Sequence, residues 1–318
     1  MDDTPKEGFE DVRLSADNAF AQISAKREAL DKAGRANETL FVLLGEEHTT
    51  LSHKLHHLAL LERIRQNFQD VVLSFEVPHD YAYQDNTYYK TRHKHKYSQS
   101  EHGETNLKAT IEKFTSLYAC YANDVINKYS LLLAQSGAVK CAYTDASWRF
   151  KDHQLIMSDL STLFSVQACG YKAETMQADS PEALYVRNHH MQKSLTRLAR
   201  DNKARIAIQI CGIAHVNGWE RQYSKRKSLA ALFRAQAQPF LASFYEGSVY
   251  NSDKGMRASE VLRLHDLQGP VAIYDADYPD VAENYGSDFA DLAEEKACFD
   301  RGLKALGLAH LAQDKLGF

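Results

Sequence analysis

Residues 39–78 read TLFVLLGEEHTTLSHKLHHLALLERIRQNFQDVVLSFEVP, and three changes of pattern inside them decide the fold. Thr39 to Leu44 is an uninterrupted apolar run, as expected of a strand buried on both faces. Leu51, Leu55, Leu58, Leu61 and Ile64 then recur at helical spacing and predict a helix from about residue 50 to 67. Val71 to Phe75 is a second buried strand, ending at Glu76 and closed by Pro78. The order strand, helix, strand with short connections predicts a β-α-β unit, parallel pairing and a right-handed crossover.

On the N-terminal side, Ser15 is the expected cap of a helix carrying Phe20, Ile23 and Leu30, with Gly34 as its stop. On the C-terminal side, residues 80–105 are rich in Tyr, His, Lys and Gln and poor in aliphatics, which reads as a surface loop or lid. A long helix is expected from Leu107 to Ser136, ended by Gly137. A third strand follows at Ala138–Tyr143, with Thr144 and Asp145 just past it. Helices are expected near His153–Gln167 and Ala183–Asn202. Arg205–Cys211 is a fourth strand, running directly into GIAHVNG. Strands at Phe240–Tyr245 and Val271–Tyr274 and a helix at Ser287–Leu306 complete the pattern. The expectation is one α/β domain over residues 1–318: a mostly parallel central sheet flanked by helices, with residues 80–136 as an inserted loop and helical arm.

Composition narrows the partners. The 318 residues hold 38 Lys+Arg against 42 Asp+Glu, a net charge of −4, which argues against a nucleic-acid binder running on bulk positive charge. At 44% hydrophobic the chain can build a sizeable core. No apolar run approaches the roughly 20 residues of a membrane span. The N-terminus, MDDTPKEGFEDVR, has no cationic and apolar signal pattern. Five cysteines without a CxxC pair read as reduced, buried thiols. The expected location is the cytoplasm, or outside the cell by a route needing no N-terminal signal.

In open parallel sheets, ligands bind beyond the carboxyl ends of the strands. Glu46, Glu47 and His48 follow the first strand, Glu76 ends the second, Asp145 follows the third and His215 the fourth, all on one rim. Gly45-Glu46-Glu47-His48 and Gly212-Ile213-Ala214-His215 are both G-x-x-H directly after a buried strand. The glycine permits a sharp turn, and the histidine three residues on can face the crevice. Glu46, His48, Glu76 and His215 could hold a divalent transition metal with open positions for water and substrate. Alternatively, one of them acts directly as a general base on water. His53 and His57, four apart on the following helix, lack the glutamate of an H-E-x-x-H site and read as a solvated or partly buried face. His93-Lys94-His95-Lys96 reads as surface charge.

These blocks resemble the superfamily that joins TIKI/TraB-type proteases, erythromycin-esterase-like hydrolases and ChaN-like haem-uptake proteins. Phe41–Pro78 is similar to the ChaN opening of apolar strand, LGExH, helix and a strand ending in Glu. Tyr185–Gly218 is similar to the second block, in which an Arg-Asn or Arg-Asp pair opens a helix and the next strand ends in G-x-x-H-x-x-G; Arg187 and Asn188 match the TraB form of that pair. The spacing of Glu46, His48, Glu76 and His215 also resembles the catalytic set of Ras/Rap1-specific endopeptidase domains, which are regarded as metal-free, whereas TIKI proteases require a metal. The resemblance implies Glu46, His48, Glu76, His215 and Arg187 as the site.

The function expected is a hydrolase of a peptide, amide or ester bond. Glu46 and Glu76 would orient the histidines, His48 or His215 would activate water, and Arg187 would offset charge on the substrate oxygen. Its partner would be a peptide or small-molecule substrate. Two alternatives use the same scaffold. One is a non-catalytic haem or metal binder with a tyrosine or histidine as axial ligand. The other is a partner-binding effector that docks through residues 80–105.

Overall fold

The computed structural model describes residues 6–46, 51–78, 139–146, 148–151, 154–157, 160–172, 175–177, 180–217, 228–244, 250–251, 255–256, 265–266 and 292–311. Its main strands are β1 (Leu40–Glu46), β2 (Val71–Pro78) and β3 (Lys140–Asp145). Three short strands follow, β4 (Trp148–Lys151), β5 (Gln154–Met157) and β6 (Thr175–Gln177). Then come β7 (Ile206–Gly212) and β8 (Phe240–Phe244), and finally the two-residue strands β9 (Tyr250–Asn251), β10 (Gly255–Met256) and β11 (His265–Asp266). The helices are α1 (Lys6–Lys32), α2 (Leu51–Asn67), α3 (Leu160–Ala168), α4 (Pro181–Asp201), α5 (Ile213–Asn217), α6 (Leu229–Ala235) and α7 (Leu292–Ala305).

The central sheet has the order β11-β8-β1-β7-β2-β3. Its five longer strands are parallel, and β11 is antiparallel to β8. Residue alternation divides the core into two layers. Leu40, Val42, Leu44, Leu73, Phe75, Ile208 and Ile210 face one side, where they pack with Val12 and Ile23 of α1, Leu55 and Leu58 of α2, and Phe299 and Leu303 of α7. Phe41, Leu43, Val72, Ala142 and Ala207 face the other, against Met191 and Leu195 of α4, Val216 of α5 and Phe233 of α6. The result is an α/β fold, a parallel sheet with helices on both faces.

Several expectations need correction. β1 and β2 run parallel but do not pair with each other; β7 lies between them and pairs with both. Ile206, Ala207, Ile208 and Ile210 of β7 are all buried, so this strand is apolar on both faces and suits the middle of the sheet. Ser15 does not cap α1: it is buried well inside a helix that starts at Lys6. Val12, Ala16 and Ala19 carry the apolar stripe upstream of Ile23. Gly34 does end the segment, at φ +75, where the Arg35 amide donates back to Leu30 O at 2.9 Å. Among the described residues no helix starts near position 153. Gln154–Met157 is a strand in an antiparallel β4-β5-β6 sheet, and α3 begins only at Leu160. Thr144 and Asp145 belong to β3 rather than following it. The loop and long helix expected over residues 80–136, and the strand at Val271–Tyr274, lie outside the described residues. No helix among the described residues is long and apolar enough to cross a membrane.

Candidate functional site

Register brings the strand ends to one rim of the sheet. Glu46 of β1 is opposite Gly212 of β7, Phe75 of β2 is opposite Ile210, and Pro78 is opposite Asp145 of β3 after a register shift. Helix α4 crosses this rim. Ser180 caps it by accepting from the Ala183 amide at 3.1 Å, and Pro181 supplies its first turn, so Arg187 and Asn188 fall two turns in, beside the acids.

Four residues expected from the sequence meet here on the α4 side of the sheet. Arg187 Nη2 donates to Glu76 Oε1 at 2.5 Å and to Asp145 Oδ2 at 2.7 Å, while its Nε lies 3.2 and 3.1 Å from the two Asp145 oxygens. Glu76 Oε1 is also 3.0 Å from His215 Nε2, and Glu76 Oε2 accepts from the Gly212 amide at 2.7 Å. The other ring nitrogen, His215 Nδ1, faces Asn188 Oδ1 at 2.5 Å. Asp145 accepts in addition from the Ala146 amide at 2.8 Å. Asp145, His215 and Glu76 are 0%, 3% and 8% exposed. Four segments distant in sequence thus converge on one buried ionic network.

Below it lies a polar floor. Gln209 Oε1 accepts from Ser74 Oγ at 2.6 Å and from Thr144 Oγ1 at 2.8 Å. Thr144 Oγ1 also reaches Phe75 O at 3.2 Å, so β2, β3 and β7 are tied together directly beneath the acids.

Glu46 is placed differently. Alternation along β1 sends it to the α2 face, where Lys54 Nζ donates to Oε1 and His57 Nδ1 lies 3.1 Å from Oε2. Lys54, His53, His56 and His57 are all buried, whereas a solvated or partly buried face was expected for His53 and His57. Burial holds the His56 imidazole well below its ordinary pKa, and its neighbours His57 and His53 add to this. Burial also lowers His57, against the opposing pull of Glu46. Between the two clusters, the Cys211 thiol is pushed well up, by burial first and then by the negative charges of Glu76, Glu46 and Asp145. The acids therefore share one rim from opposite faces. His48, Glu47, the His93–Lys96 cluster and residues 80–105 lie outside the described residues.

The residues read least directly from the sequence are Lys54, His57, Asn188 and Asp145. Asp145 was visible on the rim but not as the partner of Arg187. Lys54 and His57 had a signal, since LSHKLHH puts polar side chains into a helix whose leucines must be inside. Among the described residues no three His, Cys, Asp or Glu side chains are grouped to hold a metal ion. Both nitrogens of His215 and both oxygens of Glu76 have protein partners. No family model matches the chain, and no curated protein or solved structure matches it.

Proposed function

We propose that the chain is a hydrolase of a peptide, amide or ester bond, working through Glu76 and His215, with Arg187, Asp145 and Asn188 as positioning residues. One observation carries this reading: the Glu76 carboxylate, at the carboxyl end of a parallel strand, holds an imidazole and a guanidinium together in a buried place. A buried ionic network is a poor way to stabilise a fold, because desolvation consumes most of the attraction. The ends of parallel strands, by contrast, are where such sheets bind ligands.

In the proposed reaction a water oxygen attacks the substrate carbonyl carbon and gives a proton to the Glu76–His215 pair. That proton passes to the departing amine or alcohol as its bond to the carbonyl carbon breaks. Asn188 fixes the ring through Nδ1. Arg187 acts on the acids, holding the Glu76 carboxylate in place, rather than on the substrate oxygen. The described cysteines are thiols, which suits a reducing compartment such as the cytoplasm.

The test uses p-nitrophenyl acetate and a mixed peptide pool, with folding of each variant checked by circular dichroism. His215→Ala and Glu76→Gln are expected to lower turnover by about 10²–10⁴. Full turnover in both folded variants, or none in the wild type on any ester or amide tried, overturns the reading.

A further inference from the structure

The arrangement around Arg187 also bears on which substrates fit, and this step rests on the hydrolase reading above. An arginine in a binding crevice ordinarily anchors a carboxylate or phosphate through two parallel N–H bonds. A guanidinium has five N–H donors, one on Nε and two on each terminal nitrogen. Here the Nε hydrogen is directed at Asp145. The two Nη2 hydrogens go to Asp145 and Glu76. Both edges that could present a bidentate fork, Nε with Nη2 and Nη1 with Nη2, therefore include a nitrogen already committed to a carboxylate.

The charges lead to the same result. Among the described residues two buried acids, Glu76 and Asp145, pair with Arg187, so an anion that approaches through Nε or Nη2 meets a carboxylate. Asp145 holds its position independently of the arginine, through the Ala146 amide at the end of β3. It is thus a fixed counter-charge, whereas Glu76 is shared with His215. We propose that Asp145 is a specificity determinant: by occupying the side of Arg187 that would grip an anion, it restricts the site to neutral or cationic acyl substrates and excludes those with a carboxylate or phosphate at the reacting bond.

Two readouts separate this proposal from the reading it rests on. The first needs no turnover: inorganic phosphate is titrated into the full chain at low salt and followed by calorimetry and by the Arg Nε resonances. The wild type should show no saturable binding below about 10 mM, and Asp145→Asn should gain a site that shifts the Arg187 Nε signal. The second compares p-nitrophenyl acetate with p-nitrophenyl hemisuccinate. The wild type should favour the neutral ester by tenfold or more in kcat/KM, and Asp145→Asn should narrow that ratio. Wild-type phosphate binding that shifts Arg187, or equal use of the two esters, overturns the proposal even if Asp145→Asn does not fold. The predicted phosphate pattern in a chain without hydrolysis would remove the hydrolase reading and leave the charge selectivity standing.

Discussion

Arg187 illustrates how one side chain can be both a structural risk and a functional asset. Its side chain is 14% exposed and faces Glu76 at 6% and Asp145 at 0%, so water screens these charges weakly. Removing one member of such a group leaves the others buried and uncompensated, typically at about 3–5 kcal/mol. Arg187→Met is therefore expected to lower unfolding free energy by about that amount in urea titrations. Adding Glu76→Gln and Asp145→Asn to it should restore much of the loss, because the stranded charges go with the cation. A loss below about 1 kcal/mol would mean that the network is hydrated and behaves as a surface pair. Glu76 and His215 were readable as rim residues because each follows a buried strand. Their mutual contact was not, because it depends on β7 lying beside β2, a pairing that no local pattern encodes. Glu46 shows the converse. Its position at the rim was legible, but a single step of strand alternation decides which face it serves, and that parity turned it toward Lys54 and His57.

At the scale of elements, helix packing supplies a sharper constraint than helix propensity. Gly302 lies inside α7, where alanine would ordinarily stabilise the helix by about 1 kcal/mol. A Cβ there would stand 2.5 Å from Leu55 Cδ1 and 2.7 Å from Phe9 Cε1, so α7 approaches α1 and α2 too closely to admit it. Leu55 is fully buried and has little room to move. Overpacking of this kind costs about 1–3 kcal/mol, more than the propensity returns. Gly302→Ala should be net destabilising by about 1 kcal/mol in thermal or denaturant unfolding, and should become neutral or stabilising in a Leu55→Ala background. Equal effects in both backgrounds would contradict the packing argument. The elements that were legible beforehand, β1, α2, β2, α4 and β7, are those whose burial is decided within the element by period or by an unbroken apolar run. The misreadings arose where the decision lies outside it. Gln154–Met157 is too short to show a period, and it becomes a strand by pairing with Trp148–Lys151 on one side and Thr175–Gln177 on the other. Ser15 matched a cap only because Ala16 and Ala19 are too small to announce a buried face, although they allow α1 to lie close against the core.

For the whole molecule, the two polar clusters make stability depend on pH in separable windows. His56 and His57 have their pKa values lowered from the ordinary 6.5, by burial first in both cases. The groups around them include Glu46 of β1, His53 and Lys54 of α2, and the backbone of Ser15 in α1. His189 on α4 is held down to about 4 by partial burial and by Lys193. Above pH 6.5 these histidines are neutral in both folded and unfolded chains, so they add no pH dependence. As pH falls below 6.5, the unfolded chain takes up protons that the folded one refuses, and stability drops until the folded-state pKa values are reached. Each such histidine contributes a slope of at most about 1.4 kcal/mol per pH unit. The exposed acids Glu10, Asp31 and Glu38 have lowered pKa values, so they also lose stability on acidification, but only from their ordinary 3.8 to 4.5 downward. Of these groups, only the histidines act between pH 6.5 and about 5. Urea unfolding at pH 7.5, 6.5 and 5.5 should give a plateau and then a decline, and His56→Phe should make that decline shallower. A flat profile down to pH 5.5 would mean that the histidines under α2 reach water in the folded protein. The sheet would then have one dry polar cluster at its rim, the one around Arg187, instead of two.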